Sequence, residues 1–317
     1  MMRGLTKSIL WCFLVIGVLA PFLANDLPIA ASVGGEIRWP VVEGYATSRP
    51  SPPVGHASWK SWWAQIPEDG KDWALMPLIP FGPNEALEQR KRAKPVVLEH
   101  YLGNDASGRD VLARLIHGAA TALWIALGSV MIALVIGIPL GAAAGYWGGA
   151  IDLLVTGLVQ VFLCFPPIFF VLAVMAFVGQ SLWGVVLVLG SLYWVSFARI
   201  VRGEILSLRE RDYVMRAQSL GLSSGRVLFA HILPQARGPI LTNAAFVAAG
   251  AIVVEATLAF LGLGPGLSTV SWGGLLMDGK DAAHLGAWHL WLFPSLALVT
   301  VVACCHSLAS RAYRRPD

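Results

Sequence analysis

An all-α, polytopic membrane protein of about six transmembrane helices is the fold class that this sequence predicts, and three observations predict it. Of the 317 residues, 56% are hydrophobic and 13% charged, whereas a soluble domain carries about 25% charged residues. No Asp, Glu, Lys or Arg occurs from Leu115 to Ile151, from Leu153 to Ala198, or from Leu285 to Ser310, runs of 37, 46 and 26 residues. Each exceeds the roughly 20 residues that cross a bilayer, and in lipid each has to be helical so that its own backbone satisfies every N–H and C=O. Basic residues cluster at particular ends of these runs, as membrane topology requires.

The first span is the apolar run 8–24, behind Arg3 and Lys7. A cleaved signal peptide is the alternative, since a basic start, an apolar core and a small Ala24 also fit one. Residues 25–116 read as an extramembrane insert. Ten of the 19 prolines fall between residues 25 and 100, and neither helical nor alternating periodicity is present there. Its tryptophans, Trp59, Trp62, Trp63 and Trp73, suit seats at the membrane interface, with a small core as the alternative.

Residues 117–317 form the core with five further spans. These fall near 117–143, 152–177, 182–201, 239–262 and 286–309; the run of 46 residues is divided by its one polar break, Gly179-Gln180-Ser181. Pro139, Pro166, Pro167 and Pro294 predict kinks within them. Gly137, Gly141, Gly145, Gly148 and Gly149 read as small-residue helix packing, with Gly137 and Gly141 in GxxxG spacing.

Orientation follows from the arginines. Arg199, Arg202, Arg209, Arg211, Arg216, Arg226 and Arg237 lie between the fourth and fifth spans, while the next loop has Lys280 alone. The arginine-rich segment is therefore expected in the cytoplasm, with both termini, Arg311, Arg314 and Arg315 included. The insert then faces the periplasm of a bacterial inner membrane, and its ten Lys and Arg do not conflict with that, because long loops escape the rule.

Residues 203–238 are the one sizeable cytoplasmic loop. Tyr213, Val214, Ala217 and Leu220 recur at helical spacing up to Gly221, which suits a left-handed helix end. Ser223 or Ser224 then caps a second short helix through Arg226 and Phe229, stopped by Pro234. Two readings are open. The pair is an amphipathic hairpin resting on headgroups, or a compact knob that fits a cleft on a partner.

That segment resembles the EAA loop of the permeases of ABC importers. Gly221 matches the loop glycine, Ala217 an alanine of the triplet, and Ile232-Leu233-Pro234 the terminal element. Met215 stands where the family has Glu, and Arg216 follows it, so an ion pair from that glutamate does not carry over, whereas the knob does. Further motifs are similar to the C-type permease of dipeptide, oligopeptide and nickel importers. They are Leu102-Gly103-Asn104-Asp105-Ala106-Ser107-Gly108-Arg109-Asp110-Val111-Leu112, Gly145-Tyr146-Trp147-Gly148-Gly149, the stretch from Glu255 to Gly264, and Ser271-Trp272-Gly273. The insert with Pro80-Phe81-Gly82-Pro83-Asn84 is most similar to the variant of peptide and peptide-antibiotic uptake systems.

The resemblance implies a type I ABC importer permease fold and an ATPase-coupling loop comprising Met215, Arg216, Ala217, Ser219, Leu220, Gly221, Leu222, Ser223, Arg226, Phe229 and Pro234. It also implies several partners: a homologous B-type permease, two ABC ATPase subunits that hold ATP and Mg, and a periplasmic substrate-binding protein that selects the solute. Peptides are the implied cargo, with nickel or another small solute as the alternative.

Gly103, Asp105, Gly108, Arg109 and Asp110 are expected to form a turn closed by an Arg/Asp pair at the membrane's periplasmic edge, with solute binding as the alternative. Glu255 is a carboxylate within a span and thus a functional candidate, facing the pathway, the interface or a second permease. An ion-coupled carrier needs a relay of such groups, and only Glu255 qualifies, with Asp152 at a span's end. No GxxxxGK[ST] loop is present, so ATP is expected on another polypeptide and no catalytic residue in this chain. Cys12, Cys164, Cys304 and Cys305 lack metal-ligand spacing and read as small hydrophobes. His117, His284, His289 and His306 are dispersed, so no metal site is expected, and the net charge of +4 reflects topology rather than nucleic-acid binding.

Overall fold

A computed structural model describes residues 2–46, 50–66, 72–86, 100–266 and 268–313. The chain divides into two compact units, one of Met1–Leu10, Trp124–Gly266 and Leu298–Asp317, the other of Trp11–Leu123 and Leu267–Ala297. Residues 267–297, assigned to the core from sequence, thus belong to the same unit as the insert.

Twelve helices and three strands are used below. Helix α1 is Met2–Leu23; β1 Ala30–Val33, β2 Glu36–Arg38, α2 Pro40–Ala46, α3 Trp59–Trp63 and β3 Trp73–Leu75 follow in the insert; then come α4 Val111–Trp147, α5 Gly149–Cys164, α6 Pro167–Val178, α7 Leu182–Leu208, α8 Asp212–Ser219, α9 Ser224–Arg226, α10 Arg237–Phe260, α11 Trp272–Asp281 and α12 His289–Tyr313. Among the described residues, five helices are long and apolar enough to cross a membrane: α1, α4, α7, α10 and α12. The pair α5–α6 makes a sixth if it counts as one span.

That pair departs from the expected span 152–177. It bends by 89°, a break rather than a kink. The cause is Pro166-Pro167. A proline disfavours the α region for the residue before it, so Pro166 turns Phe165 extended (φ −95°, ψ 130°) and Pro167 does the same to Pro166 (φ −58°, ψ 130°). The second proline then starts α6, where its missing N–H is harmless. At Pro139 and Pro294, single prolines, α4 and α12 run on as helices.

In the first unit α7 is the central element, with 61% of its apolar window buried. Its contact with α4 is made through glycine. A Cβ on Gly137 would lie 2.6 Å from both the Trp194 carbonyl oxygen and Phe197 Cβ, and one on Gly141 would strike the backbone of Ala198. A Cβ on Gly145 would lie 2.9 Å from the Arg202 carbonyl oxygen, and one on Gly190 of α7 would lie 2.6 Å from Ile132 Cβ. Glycines four apart share one helix face, so the expected GxxxG packing is realised as backbone-to-backbone approach; Gly148 and Gly149 are corrected, for they take φ +66° and +58° in the turn into α5 and a Cβ there would meet nothing within 4 Å. Asp152 at the start of α5 receives both Arg202 Nε and Arg202 Nη2 from α7, the second at 2.6 Å.

The second unit holds what the sequence did not display. A three-stranded antiparallel sheet of order β2-β1-β3 pairs Ala31 with Arg38 on one side and with Ala74 on the other. Trp59 and Trp62, 2% and 5% exposed, pack with Leu27, Ala31 and Val41 in a small core, and Trp59 Nε1 donates to the Pro50 carbonyl at 3.1 Å. The interfacial seats expected for these two tryptophans are therefore corrected: both face inward, because the capping box of Ser58 and Ser61 starts α3 in the register that points them at β1. Trp63 and Trp73 are exposed. Ser271 caps α11, accepting from Gly274 N at 3.1 Å, and Trp272 Nε1 donates to the Leu115 carbonyl at 2.9 Å. The Ser-Trp-Gly motif is thus a cap and an anchor on α4.

Gly141→Leu should lower the thermal midpoint of the detergent-solubilised protein well below that of Gly157→Leu, whose Cβ would meet nothing within 4 Å. The overpacked site is expected to lose about 3 kcal/mol or more, and equal midpoints for the two variants would contradict the close approach.

Candidate functional site

The segment between α7 and α10 is a knob with a buried root and an exposed crown. Helix α7 continues to Leu208, seven residues beyond the expected end of its span, and the chain turns through Arg209–Arg211 into α8. Gly221 adopts φ +78°, the left-handed conformation that glycine adopts without steric penalty. Around it Leu222 N donates to the Ala217 carbonyl at 3.3 Å and Gly221 N to the Gln218 carbonyl at 2.9 Å, the paired bonds of a Schellman ending.

The second helix starts at Ser224 after Ser223 (φ −61°, ψ 145°). It is α-helical for one turn and then widens to a π-helix over Val227–Ile232, closing with Leu233 N on the Leu228 carbonyl at 2.9 Å. Single π turns are concentrated at functional sites. Pro234, which has no N–H to extend the ladder, follows directly.

Val214, Ala217, Val227, Leu228 and Ile232 are buried together with Val201 and Ile205 of α7, Ala142 of α4 and Ile240 of α10, and Leu222 packs against them. Arg209 Nη1 ties the entry turn to the Gly145 carbonyl at 3.1 Å. The crown is different. Leu220 is 80% exposed, Phe229 66% and Met215 48%, and Arg216, Ser219, Gly221, Ser223, Arg226 and Pro234 are exposed beside them. One expectation is corrected: Leu220 and Tyr213 do not share the buried face of Val214 and Ala217. Leu220 is the cap residue, in a non-helical conformation (φ −80°, ψ 7°), so helical spacing no longer sets its direction.

The 103–110 motif forms a closed turn at the start of α4. Gly103 and Gly108 take φ +84° and +79°. Asp105, 1% exposed, accepts from the backbone N of Ser107 and Arg109 at 2.8 and 3.0 Å, from Arg109 Nε at 2.6 Å and from Arg114 Nη1 at 2.5 Å. Asp278 of α11 bridges both guanidinium groups at 3.1 Å. Burial outweighs those two cations and pushes the Asp278 carboxyl above its ordinary range. Asp110 caps α4, accepting from Ala113 N at 2.6 Å, and faces His100 Nδ1 at 2.7 Å. His289 Nε2 lies 3.0 Å from the Asn104 carbonyl oxygen.

Sequence reasoning expected a turn closed by an Arg/Asp pair without assigning Arg109 its aspartate, which is Asp105, and did not bring His100, Arg114, Asp278 or His289 to it. Asp278 stands 169 residues from Arg109, so no spacing connects them; the short helical run after Ser271-Trp272-Gly273 was the available signal. Glu255 is 1% exposed inside the first unit.

Comparison with known proteins bears on these features. The model of the family described as binding-protein-dependent transport system inner membrane component matches residues 137–315, a stretch that includes the whole knob. A Brucella suis protein provisionally named a peptide transport system permease is 38% identical over 240 residues, 76% of this chain and 80% of its own length. A dipeptide transport system permease protein of Alkalihalophilus pseudofirmus is 36% identical over 204 residues, 64% of this chain and 67% of its own. Among solved structures, an inward-facing methionine ABC transporter superposes with a TM-score of 0.51 at 18% identity, over 63% of this chain and 95% of the matched one. The fold is thus that of an ABC importer permease.

Removing the Asp105 carboxylate leaves Arg114, whose side chain is 7% exposed, short of its nearest counter-charge. Asp105→Ala should destabilise the protein by about 3 kcal/mol, and the double variant Asp105→Ala/Arg114→Met should regain much of that. Thermal melts in detergent provide the measurement, and a double variant no more stable than the single one would show that charge compensation is not the cause.

Proposed function

The chain belongs to the family of binding-protein-dependent transport system inner membrane components, and from that premise we propose that it is the permease subunit of an ATP-driven importer of peptides or peptide-like compounds. The observation that carries this reading is the knob. Two short helices meet at a left-handed glycine, their root is part of the core, and leucine and phenylalanine stand exposed at its crown. Exposed apolar side chains flanked by arginines suit a protein cleft, and hot-spot contacts are of this kind.

In this reading the crown docks on an ATPase subunit, which holds ATP and Mg, and a second, homologous permease completes the path. The knob then lies in the cytoplasm with both termini, and the insert faces the periplasm, where a substrate-binding protein delivers the solute. Peptide cargo is supported by what the relatives are named for.

The root explains how motion would be transmitted. Val214, Val227, Leu228 and Ile232 share one close-packed cluster with α7 and α10, and close-packed interiors transmit strain rather than absorb it. When paired ATPases close on bound ATP, each crown is drawn along and the helices rooted behind it tilt, opening the path outward. Met215, in place of the family's glutamate, leaves apolar contact and the cations Arg216 and Arg226 as the docking chemistry.

Leu220→Glu combined with Phe229→Glu should leave the permease in the membrane while weakening ATPase association by roughly 30-fold or more, the loss of a hot-spot contact of about 2 kcal/mol. Co-purification of the ATPase on a tagged permease measures it. Undiminished recovery together with normal uptake would exclude the coupling role.

A further inference from the structure

Arg199 on α7 differs from its charged neighbours. Arg202 holds Asp152 and Arg209 donates to a backbone carbonyl, whereas Arg199 is exposed and makes no ion pair or hydrogen bond among the described residues. Its side chain lines two clefts, of about 520 and 320 Å³, that share it with Leu163 and so adjoin. Both volumes suit small-molecule sites.

The larger cleft is walled by Phe162 and Phe165 of the α5 end and by Tyr193 and Ser196 of α7. Tyr193, Ser196 and Arg199 recur every third residue, so they form a polar strip along one face of an otherwise apolar helix. Ser196 Oγ donates to Asn243 Oδ1 at 2.9 Å. Asn243, 7% exposed, leaves its Nδ2 donor without a partner. No carboxylate lines either cleft. A cation without a counter-ion in a segment of membrane-spanning character marks a functional site by default, and here it stands beside aromatic walls.

We propose that this cleft between α5 and α7 is a contact site for the transported solute, in which the Arg199 guanidinium receives a carboxylate, the C-terminal one in a peptide, and Phe162, Phe165 and Tyr193 take its apolar part. The proposal rests on the peptide reading above. A planar guanidinium matches a carboxylate through two parallel hydrogen bonds, and α7 is also rooted in the cluster beneath the knob, so the helix that is moved is the helix that holds the solute.

The test uses the complete transporter, with its ATPases, second permease and binding protein, in cells without other peptide uptake. Initial uptake of tri-alanine is compared with that of its C-terminal amide. The binding protein's own preference is the same in every arm and cancels. Arg199→Gln should reduce the acid-to-amide uptake ratio about tenfold, the value of one charge-assisted hydrogen bond, and Arg199→Lys, which keeps the charge but loses the paired geometry, should fall between Arg199→Gln and wild type. A ratio unchanged in Arg199→Gln overturns the site while leaving the peptide reading intact. Should that variant fail to reach the membrane, Arg199→Met carries the same test in the same cells: a ratio collapsed to that of an uncharged site supports a carboxylate contact, and an unchanged ratio overturns it. Equal loss of both peptides that vanishes in vesicles of phosphatidylcholine alone would make Arg199 a lipid-headgroup anchor and overturn the site as well. A wild-type transporter that takes up neither peptide removes the peptide reading, and this inference with it.

Discussion

Two helices in contact through backbone rather than side chains set the terms for the rest of the membrane unit. Where α4 meets α7, the positions Gly137, Gly141 and Gly145 leave no room for a methyl group. In lipid there is little hydrophobic gain from bringing apolar helices together, so close approach and dispersion have to hold them. Every other contact of α7 is then referred to a rigid neighbour. The Asp152–Arg202 pair joins α5 to the same helix.

This rigidity gives the knob its meaning. A hairpin resting on headgroups needs an amphipathic face and nothing behind it. Here the inward face of α8 and of the π segment is packed into the same cluster as Val201, Ile205 and Ala142, and the Gly221 turn closes with both bonds of its motif. A force applied to Leu220 or Phe229 has few soft degrees of freedom to dissipate in before it reaches α7. The widening to a π-helix at Val227–Ile232 lets one short element bury Val227, Leu228 and Ile232 while turning Phe229 outward.

What could be read from the chain follows from which interactions are local. Spans were legible because charge-free runs report directly on lipid, and the knob was legible because Gly221 and Pro234 act on their immediate neighbours. The GxxxG face was legible because residues four apart share a helix side. The sheet was not, since β1, β2 and β3 have four, three and three residues, too few for an alternation to register against ten scattered prolines. The tryptophans misled for a related reason. An indole suits both an interface and a small core, and what decides for Trp59 and Trp62 is a cap at Ser58 together with a strand some 28 residues away. At Pro166-Pro167 the residues were noted, but each proline was treated as a kink. Acting in series they remove two consecutive residues from the helical region, and a break results.

Charge placement separates what holds the chain together from what is left over for transport. The turn before α4 assembles two guanidinium groups and two carboxylates, Arg109, Arg114, Asp105 and Asp278, with Asp105 accepting four hydrogen bonds. The paired charges of that arrangement tie α11 to α4. The α7 face has the opposite accounting. Ser196 is engaged and Arg202 is neutralised, yet the cation between them is not. A protein that has to release its cargo cannot satisfy its solute-facing charge internally, and by that criterion the quiet residue in a line of arginines is better qualified to meet the solute than the elaborate cluster.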